Sequence, residues 1–425
     1  MIGVETLQSS KINSSREKRI SKKDSSILIG NALDHYDSAI YGFLAPLLGI
    51  YFFPNYDPIV QLILTYSILA TSLITRPVGS LIFGVIARRH GPVSVMSYSL
   101  IGVAITSVCI GFLPTYLDIG WMAPFLLILI RMIKGVFAAG ESTIAKMYIM
   151  ENKPAADALK SSYLYQSSSM FGTILASAAV TLALPSEAWR VCFWIGGITG
   201  IMGYFLRRFS DTSVKRQSYD TFQPSKFPSL WSNRANILRI AMATGLGHIT
   251  GTIPFVFMNC FVPLISTITL ETMMILNTAL LAVDMVLIPV LGRITLRFDP
   301  VKVMVLASLI LSLTIIPLFA FLPQASLEFV VFVRMWIVFW GVIFLCPLNF
   351  WFRNLIPGAD QYLLIGLSGA LGASTIGRAT TPLCLWLWYV SGWAFLPAVY
   401  MAVIMLATAY IIYSTKQNIL IPVEQ

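Results

Sequence analysis

Residues 30–45 read Gly30-Asn31-Ala32-Leu33-Asp34-His35-Tyr36-Asp37-Ser38-Ala39-Ile40-Tyr41-Gly42-Phe43-Leu44-Ala45, a run apolar enough to enter a bilayer that nevertheless carries two carboxylates. An acidic residue at the centre of a membrane helix costs about 2.5–3.5 kcal/mol on insertion scales, so two of them call for a partner, a water-filled cavity or a bound proton. Asp34 and Asp37 are three residues apart and Tyr41 follows four later, which predicts all three on one helical face.

The rest of the chain has the same character. Its 425 residues are 57% hydrophobic and 11% charged, with a mean hydropathy of +0.77; soluble domains carry about 25% charged residues. Apolar runs of about 20 residues recur along the whole length, each able to cross a hydrocarbon core about 30 Å thick. Only helices or closed barrels satisfy their backbone in lipid, and barrel strands are shorter and alternate in polarity, so the segments predict helices. Spans are expected near 27–53, 60–86, 93–114, 122–148, 159–184, 189–207, 237–265, 271–292, 301–322, 327–350, 361–388 and 391–414.

The formal charge of +10 is distributed as a topology signal rather than as a groove for nucleic acid. Lys11, Arg16, Lys18, Arg19, Lys22 and Lys23 precede the first span, and Arg207, Arg208, Lys215, Arg216, Lys226, Arg234 and Arg239 gather at mid-chain. Connections alternate between basic ones and ones almost free of Lys and Arg, with Arg190 the exception. The expected organisation is a basic cytoplasmic tail (1–26), a six-helix bundle (27–207), a cytoplasmic loop (208–236), a second six-helix bundle (237–414) and a cytoplasmic tail (415–425), with both termini cytoplasmic. The first span is too long and too acidic for a cleaved signal peptide. Cys109, Cys192, Cys260, Cys346 and Cys384 stand singly in apolar segments, which argues against metal and disulfide roles.

Two bundles joined by a loop, with a site near the midplane, is one architecture of secondary transporters. A weak echo links the end of the second span, Gly84-Val85-Ile86-Ala87-Arg88-Arg89-His90-Gly91, to that of the eighth, Gly292-Arg293-Ile294-Thr295-Leu296-Arg297-Phe298-Asp299.

Several motifs together resemble the major facilitator superfamily, and within it the metabolite:proton symporters that include proline/betaine and organic-acid carriers. Arg76-Pro77-Val78-Gly79-Ser80-Leu81-Ile82-Phe83-Gly84 looks like the family's second helix, and Arg131 to Glu141 is similar to its Arg-x-x-Gln-Gly-x-x-x-Gly-Gly-Glu pattern, with Glu151 and Pro154 following. The opening run resembles its Gly-Asn-x-x-Glu-Trp-Tyr signature, and Trp189-Arg190 with Arg207-Arg208 its sixth helix. In the second half the likeness rests on Pro289, Gly292, Ile356-Pro357 and Gly377 to Pro382. Departures are Asp34 for the family's Glu, His35 and Ser38 for aromatics, Lys134 for Gln, and Gln361 for Arg. Arg88 stands for the Asp of the loop latch, and Leu296 occupies the matching position. A latch at the cytoplasmic side must therefore be built differently.

The resemblance implies that the first, fourth, seventh and tenth spans line a central cavity. Proton coupling is then expected at Asp34, Asp37 and Glu141, and substrate contacts at Tyr41, Arg131, Lys134, His248 and Arg334, since guanidinium groups suit bidentate capture of a carboxylate. Conformational gating is expected at Arg76, Gly84, Arg88, Arg89 and Arg297, with Arg76 at the cytoplasmic end of its helix. Asp284 is expected to pair with Arg378 or to belong to the ion path, and Trp386, Trp388, Tyr389 and Trp393 to form an interfacial belt. The expected protein is a multi-pass transporter of a bacterial-type inner membrane, embedded in the lipid bilayer as a monomer, with a small-molecule substrate and no nucleic acid as partner. It is expected to take up an amino acid, betaine-like zwitterion or organic acid with protons, using the proton gradient and no cofactor or metal. Export or uniport of a drug or metal chelate on the same fold is the alternative. An embedded enzyme is disfavoured by three scattered His and unpaired Cys, and an ATP-driven pump by the lack of a Gly-x-x-x-x-Gly-Lys-Ser/Thr loop.

Overall fold

The computed structural model describes residues 22–90, 92–150, 153–210, 230–295, 297–356 and 361–415. Among these the chain is helical with no strand, and its helices group into twelve spans. The first six are Lys22–Phe52; Pro58–Ala70 continued by Ser72–His90; Pro92–Gly111; Met122–Tyr148; Ala155–Ala183; and Trp189–Ser210. The next six are Arg234–Thr252 with Met258–Ile265; Leu270–Thr295; Pro300–Ala320; Leu327–Leu345 with Leu348–Leu355; Gln361–Gly372 with Thr380–Ser391; and Leu396–Tyr413. Eight described helices are long and apolar enough to cross a membrane. Below, the end at which the first span begins and the twelfth finishes is called the inner end.

Local chemistry sets the boundaries. Asp57 and Asp299 cap the second and ninth spans, accepting from the N–H of Ile59 at 2.9 Å and of Val301 at 2.8 Å, with Pro58 and Pro300 at the first helical position, where a missing N–H costs nothing. Gly392, at φ 71°, closes the eleventh span by donating to the Trp388 carbonyl at 2.7 Å.

Three spans are discontinuous. The seventh passes through a π-helical turn at Ile253–Phe257, which contains Pro254. The eleventh does so at Ala373–Arg378, just before Pro382, and the tenth restarts after Pro347. Proline supplies no N–H to the carbonyl one turn back, so the chain widens or breaks there.

Helix contacts within each bundle are backbone-close. A Cβ on Gly172 of the fifth span would lie 1.9 Å from the Ala32 carbonyl oxygen of the first. Its counterpart on Gly372 of the eleventh would lie 1.9 Å from the Ala241 carbonyl oxygen of the seventh. Small residues at such crossings are what hold helices together in lipid, where burial of apolar side chains gives no net drive. Outward-facing Leu182, Leu313 and Tyr410 are among the most exposed apolar side chains, as a lipid-facing surface requires. Trp386, Tyr389 and Trp393 are likewise exposed near one helix end, while Trp388 turns inward onto the Phe261 ring, with centroids 5.4 Å apart.

The bundles meet at both ends. On the inner side Gly84 of the second span abuts Leu363 of the eleventh, and the Arg353 Nη1 donates to the Lys153 carbonyl at 3.1 Å. Lys153 in turn pairs with Asp24 at 3.1 Å and donates to Ser161 at 2.8 Å. On the outer side Ser177 of the fifth span shares a hydrogen bond with Thr278 of the eighth at 2.8 Å and accepts from Asn277 at 3.1 Å. Between these two bridged ends lies the central cavity.

Candidate functional site

The cavity has a volume of about 330 Å³ and is lined from both bundles. The first span contributes Asp34, His35 and Ser38. Its placement depends on Asn31, whose amide donates to the Tyr165 carbonyl at 3.1 Å and to Ser168 and Ser169 at 2.7 and 2.8 Å, clamping this helix to the fifth. His35 lies one turn on, with Nδ1 2.9 Å from the Asn31 carbonyl oxygen. Facing them are His248, just before the π-helical turn of the seventh span, and Arg378, at the end of the π-helical turn of the eleventh. Both discontinuities thus lie close to residues that line the cavity. Arg76 and Lys146 complete the charged lining, and Phe43, Tyr165, Phe255 and Phe352 supply aromatic walls.

Asp37 points elsewhere. Three residues advance a helix by about 300°, so Asp37 lies some 60° round from Asp34; the expectation of one shared face is corrected accordingly. Its carboxylate is sunk inside the first bundle, against Gly196 of the sixth span, and is ion-paired to Lys134 of the fourth at 2.6 Å. Ser107 of the third span joins the two, accepting from Lys134 Nζ at 2.6 Å and donating to the Asp37 carboxylate. The side chains of Lys134 and Asp37 are 4% and 2% exposed, so the pair stands in a region of weak screening. A second, small cavity of about 20 Å³, lined by Ser38, Arg76, Arg131, Lys134 and Arg378 among others, adjoins this pair and shares Ser38, Arg76 and Arg378 with the central one. That is room for about one water.

A family profile for sugar (and other) transporters matches residues 25–218. A Staphylococcus haemolyticus protein named provisionally as a proline/betaine transporter is 26% identical over 398 residues, 88% of this chain and 83% of that protein. The proline/betaine transporter of Escherichia coli K12 is 31% identical over 204 residues, 46% of this chain and 41% of that protein. Among solved structures, a D-xylose–proton symporter superposes with a TM-score of 0.73 at 14% identity, over 92% of this chain and 97% of that one. The major facilitator xylose symporter bound to a bromo-deoxyglucose gives 0.69 at 16% identity, over 92% and 95%. The chain has the major facilitator fold.

Within this fold the residues expected from sequence separate into distinct places. Of the expected proton-coupling set, Asp34 lines the cavity and acts electrostatically on Arg76 and Arg378, Asp37 is paired inside the bundle, and the Glu141 side chain lies outside the described residues. Of the expected substrate contacts only His248 lines the central cavity. Tyr41 is fully buried, donates to the Thr65 carbonyl at 3.0 Å, and carries the Arg131 guanidinium over its ring at 4.2 Å from the centroid. This stack fixes the first and fourth spans to each other and takes Tyr41 off the central lining. Arg131 and Lys134 border the small cavity rather than the large one.

Arg334 is also displaced from the expected lining. It is wholly buried, donates to Asn277 of the eighth span, and sits over the Phe255 ring at 5.9 Å. Arg76, expected at the inner end, lies fourteen residues from the last residue of its helix, His90, about 21 Å along the axis, and therefore at mid-membrane in the cavity wall. Gly84 is at the inter-bundle contact and Arg297 is exposed in the loop after the eighth span, while the side chains of Arg88 and Arg89 lie outside the described residues. Asp284 makes no ion pair with Arg378, which instead faces the cavity. Sequence reasoning did not single out Lys146, Gln166 or Asn349 as lining residues. Of these, Lys146 had a usable signal: it is a cation inside the fourth span, five residues past Glu141.

Proposed function

We propose that this facilitator imports a small carboxylate-bearing solute together with protons, by alternating access between its two bundles and with the proton gradient as its energy source. The observation that carries the reading is the Lys134–Asp37–Ser107 cluster: an ion pair with almost no exposure, one small cavity away from the central one. Burying two charges costs several kcal/mol per ion, and the pair offsets this only while both partners stay charged. Protonation of Asp37 ends that balance. It leaves Lys134 cationic and unpaired beside the solute cavity, which favours entry of a carboxylate. By linkage, a bound carboxylate favours the proton to the same degree. A ligand shifts the bundles only through its differential affinity for their two arrangements, and proton plus solute together restore the neutrality that lets the cavity close.

The names of the relatives, proline/betaine transporters and proton symporters, support the same class. The accompanying proposals are a monomer embedded in lipid, a bacterial-type inner membrane, no cofactor, and two bundles at 27–207 and 237–414 joined by a loop at 208–236. The inner end and both termini face the cytoplasm, in line with the basic connections gathered there. Purified protein in proteoliposomes, given an outside-acid pH gradient, should accumulate solute. Asp37→Asn should abolish gradient-driven accumulation and retain counterflow exchange; accumulation unchanged by the substitution would sink the proposal.

A further inference from the structure

We infer that the transported solute is a small dicarboxylate carrying two negative charges, rather than the zwitterion or sugar named for the relatives. The inference rests on the transport reading of the central cavity and goes on to its charge. Three cations converge there: Arg76 from the second span, Lys146 from the fourth and Arg378 from the eleventh. All three act electrostatically on the same imidazole, that of His248.

None of the three has an ion pair or a hydrogen bond to a described residue. Arg76 is 7% exposed and its Nε has no hydrogen-bond partner, and Lys146 has only the face of the Phe352 ring, 5.8 Å from the centroid. Lys134, the other nearby ammonium, is already taken by Asp37. Asp34 is the carboxylate on the described lining, and it acts on Arg76 and Arg378 together. Among the described residues, one carboxylate thus faces three cations across the cavity.

Unpaired buried charges are strongly unfavourable and are retained where a ligand completes them. A zwitterion or a sugar brings no net charge to this cluster, and a monocarboxylate brings one. A dicarboxylate brings two, and it matches the division of the cations between bundles. One carboxylate reaches Arg378 on the C-terminal bundle, by bidentate contact, while the other meets Arg76 and Lys146 on the N-terminal bundle. Such a solute ties the bundles together across the cavity, which is the differential contact that alternating access needs. The two imidazoles, His35 and His248, stand beside it as hydrogen-bonding groups.

The test uses full-length protein in detergent and in proteoliposomes, with succinate, glutarate and adipate as probes and monomethyl succinate, proline, glycine betaine and xylose as comparators. Expected are saturable binding of at least one dicarboxylate, at least tenfold weaker binding of monomethyl succinate than of succinate, and a loss of tenfold or more in Lys146→Gln and in Arg378→Gln. The unliganded melting temperatures of these variants should equal or exceed that of the parent, since an unpaired charge is removed. Saturable binding of proline, betaine or xylose that no dicarboxylate displaces overturns the inference, and so does binding of none of the three dicarboxylates. Dicarboxylate binding without uptake driven by a pH gradient overturns the proton-coupled reading and leaves the solute class standing.

Discussion

Lys134 Nζ lies 2.6 Å from the Asp37 carboxylate, and the two side chains come from helices about a hundred residues apart in sequence. Removing one partner of such a pair leaves an uncompensated charge in a region that cannot solvate it, at a cost of about 3–5 kcal/mol. Lys134→Ala should therefore be more destabilising than a cavity of its size explains. The double variant Asp37→Leu with Lys134→Met should recover most of that loss, because apolar groups of similar volume replace a buried pair with little penalty. Melting temperatures of Asp37→Leu, Lys134→Met and the double variant in detergent form the cycle. Additive losses would show that the pair contributes no coupling to stability.

The inner end is latched by Arg353 donating to the Lys153 carbonyl while the Lys153 ammonium holds Asp24 at 3.1 Å. The first contact crosses from one bundle to the other and the second secures the loop it lands on. A hydrogen bond from a charged donor contributes about 1.5–3 kcal/mol, and every 1.4 kcal/mol is a factor of about ten in a two-state population. Arg353→Gln should thus raise the rate at which a thiol reagent applied from the inner side modifies Gln166→Cys by about tenfold, in a background lacking the native cysteines. An unchanged rate would mean that the inner closure is carried by helix packing alone.

Much of this arrangement was legible in the chain, for reasons that differ from residue to residue. The twelve spans follow from long apolar runs, and their ends from Asp-Pro and Gly signals at residues 57, 299 and 392. That Asp37 needs a partner was legible because a carboxylate inside an apolar span is costly without one. The tenants of the cavity were harder to read. Whether a side chain three or four residues along a helix meets the cavity or the bundle interior depends on some 60° of rotation, and the π-helical turns at Ile253–Phe257 and Ala373–Arg378 shift that rotation. Arg378 ends such a turn and lines the cavity, while Tyr41 and Arg131 stack on each other away from it. The inner latch could not be read at all, since its acceptor is a backbone carbonyl two hundred residues from its donor.

Two glycines that look alike in the sequence should behave differently. A Cβ on Gly172 would stand 1.9 Å from the Ala32 carbonyl oxygen, a backbone atom within the N-terminal bundle, whereas one on Gly84 would meet the Leu363 Cδ1 at 2.8 Å, the far end of a flexible side chain across the bundle interface. Gly172→Ala must push the first and fifth spans apart and should destabilise by about 1–3 kcal/mol, as overpacking does. Gly84→Ala should leave the melting temperature nearly unchanged but increase thiol labelling from the inner side. The contrast fails if both variants melt alike.

Asp284 is 5% exposed in the eighth span, and its Oδ1 has no hydrogen-bond partner. It stands seven residues from Asn277, on nearly the same helical face and about 10 Å further along the axis, so the guanidinium that Asn277 holds does not reach it. A buried polar group left without a partner costs about 1–3 kcal/mol, and exchanging it for an apolar side chain of similar size removes that cost. Asp284→Leu should therefore raise the melting temperature. If pH-driven uptake survives the change, the carboxyl has no part in the transport cycle; if uptake is lost from a more stable protein, the C-terminal bundle carries a protonatable group of its own. A lower melting temperature would show that Asp284 is held by interactions stronger than its surroundings indicate.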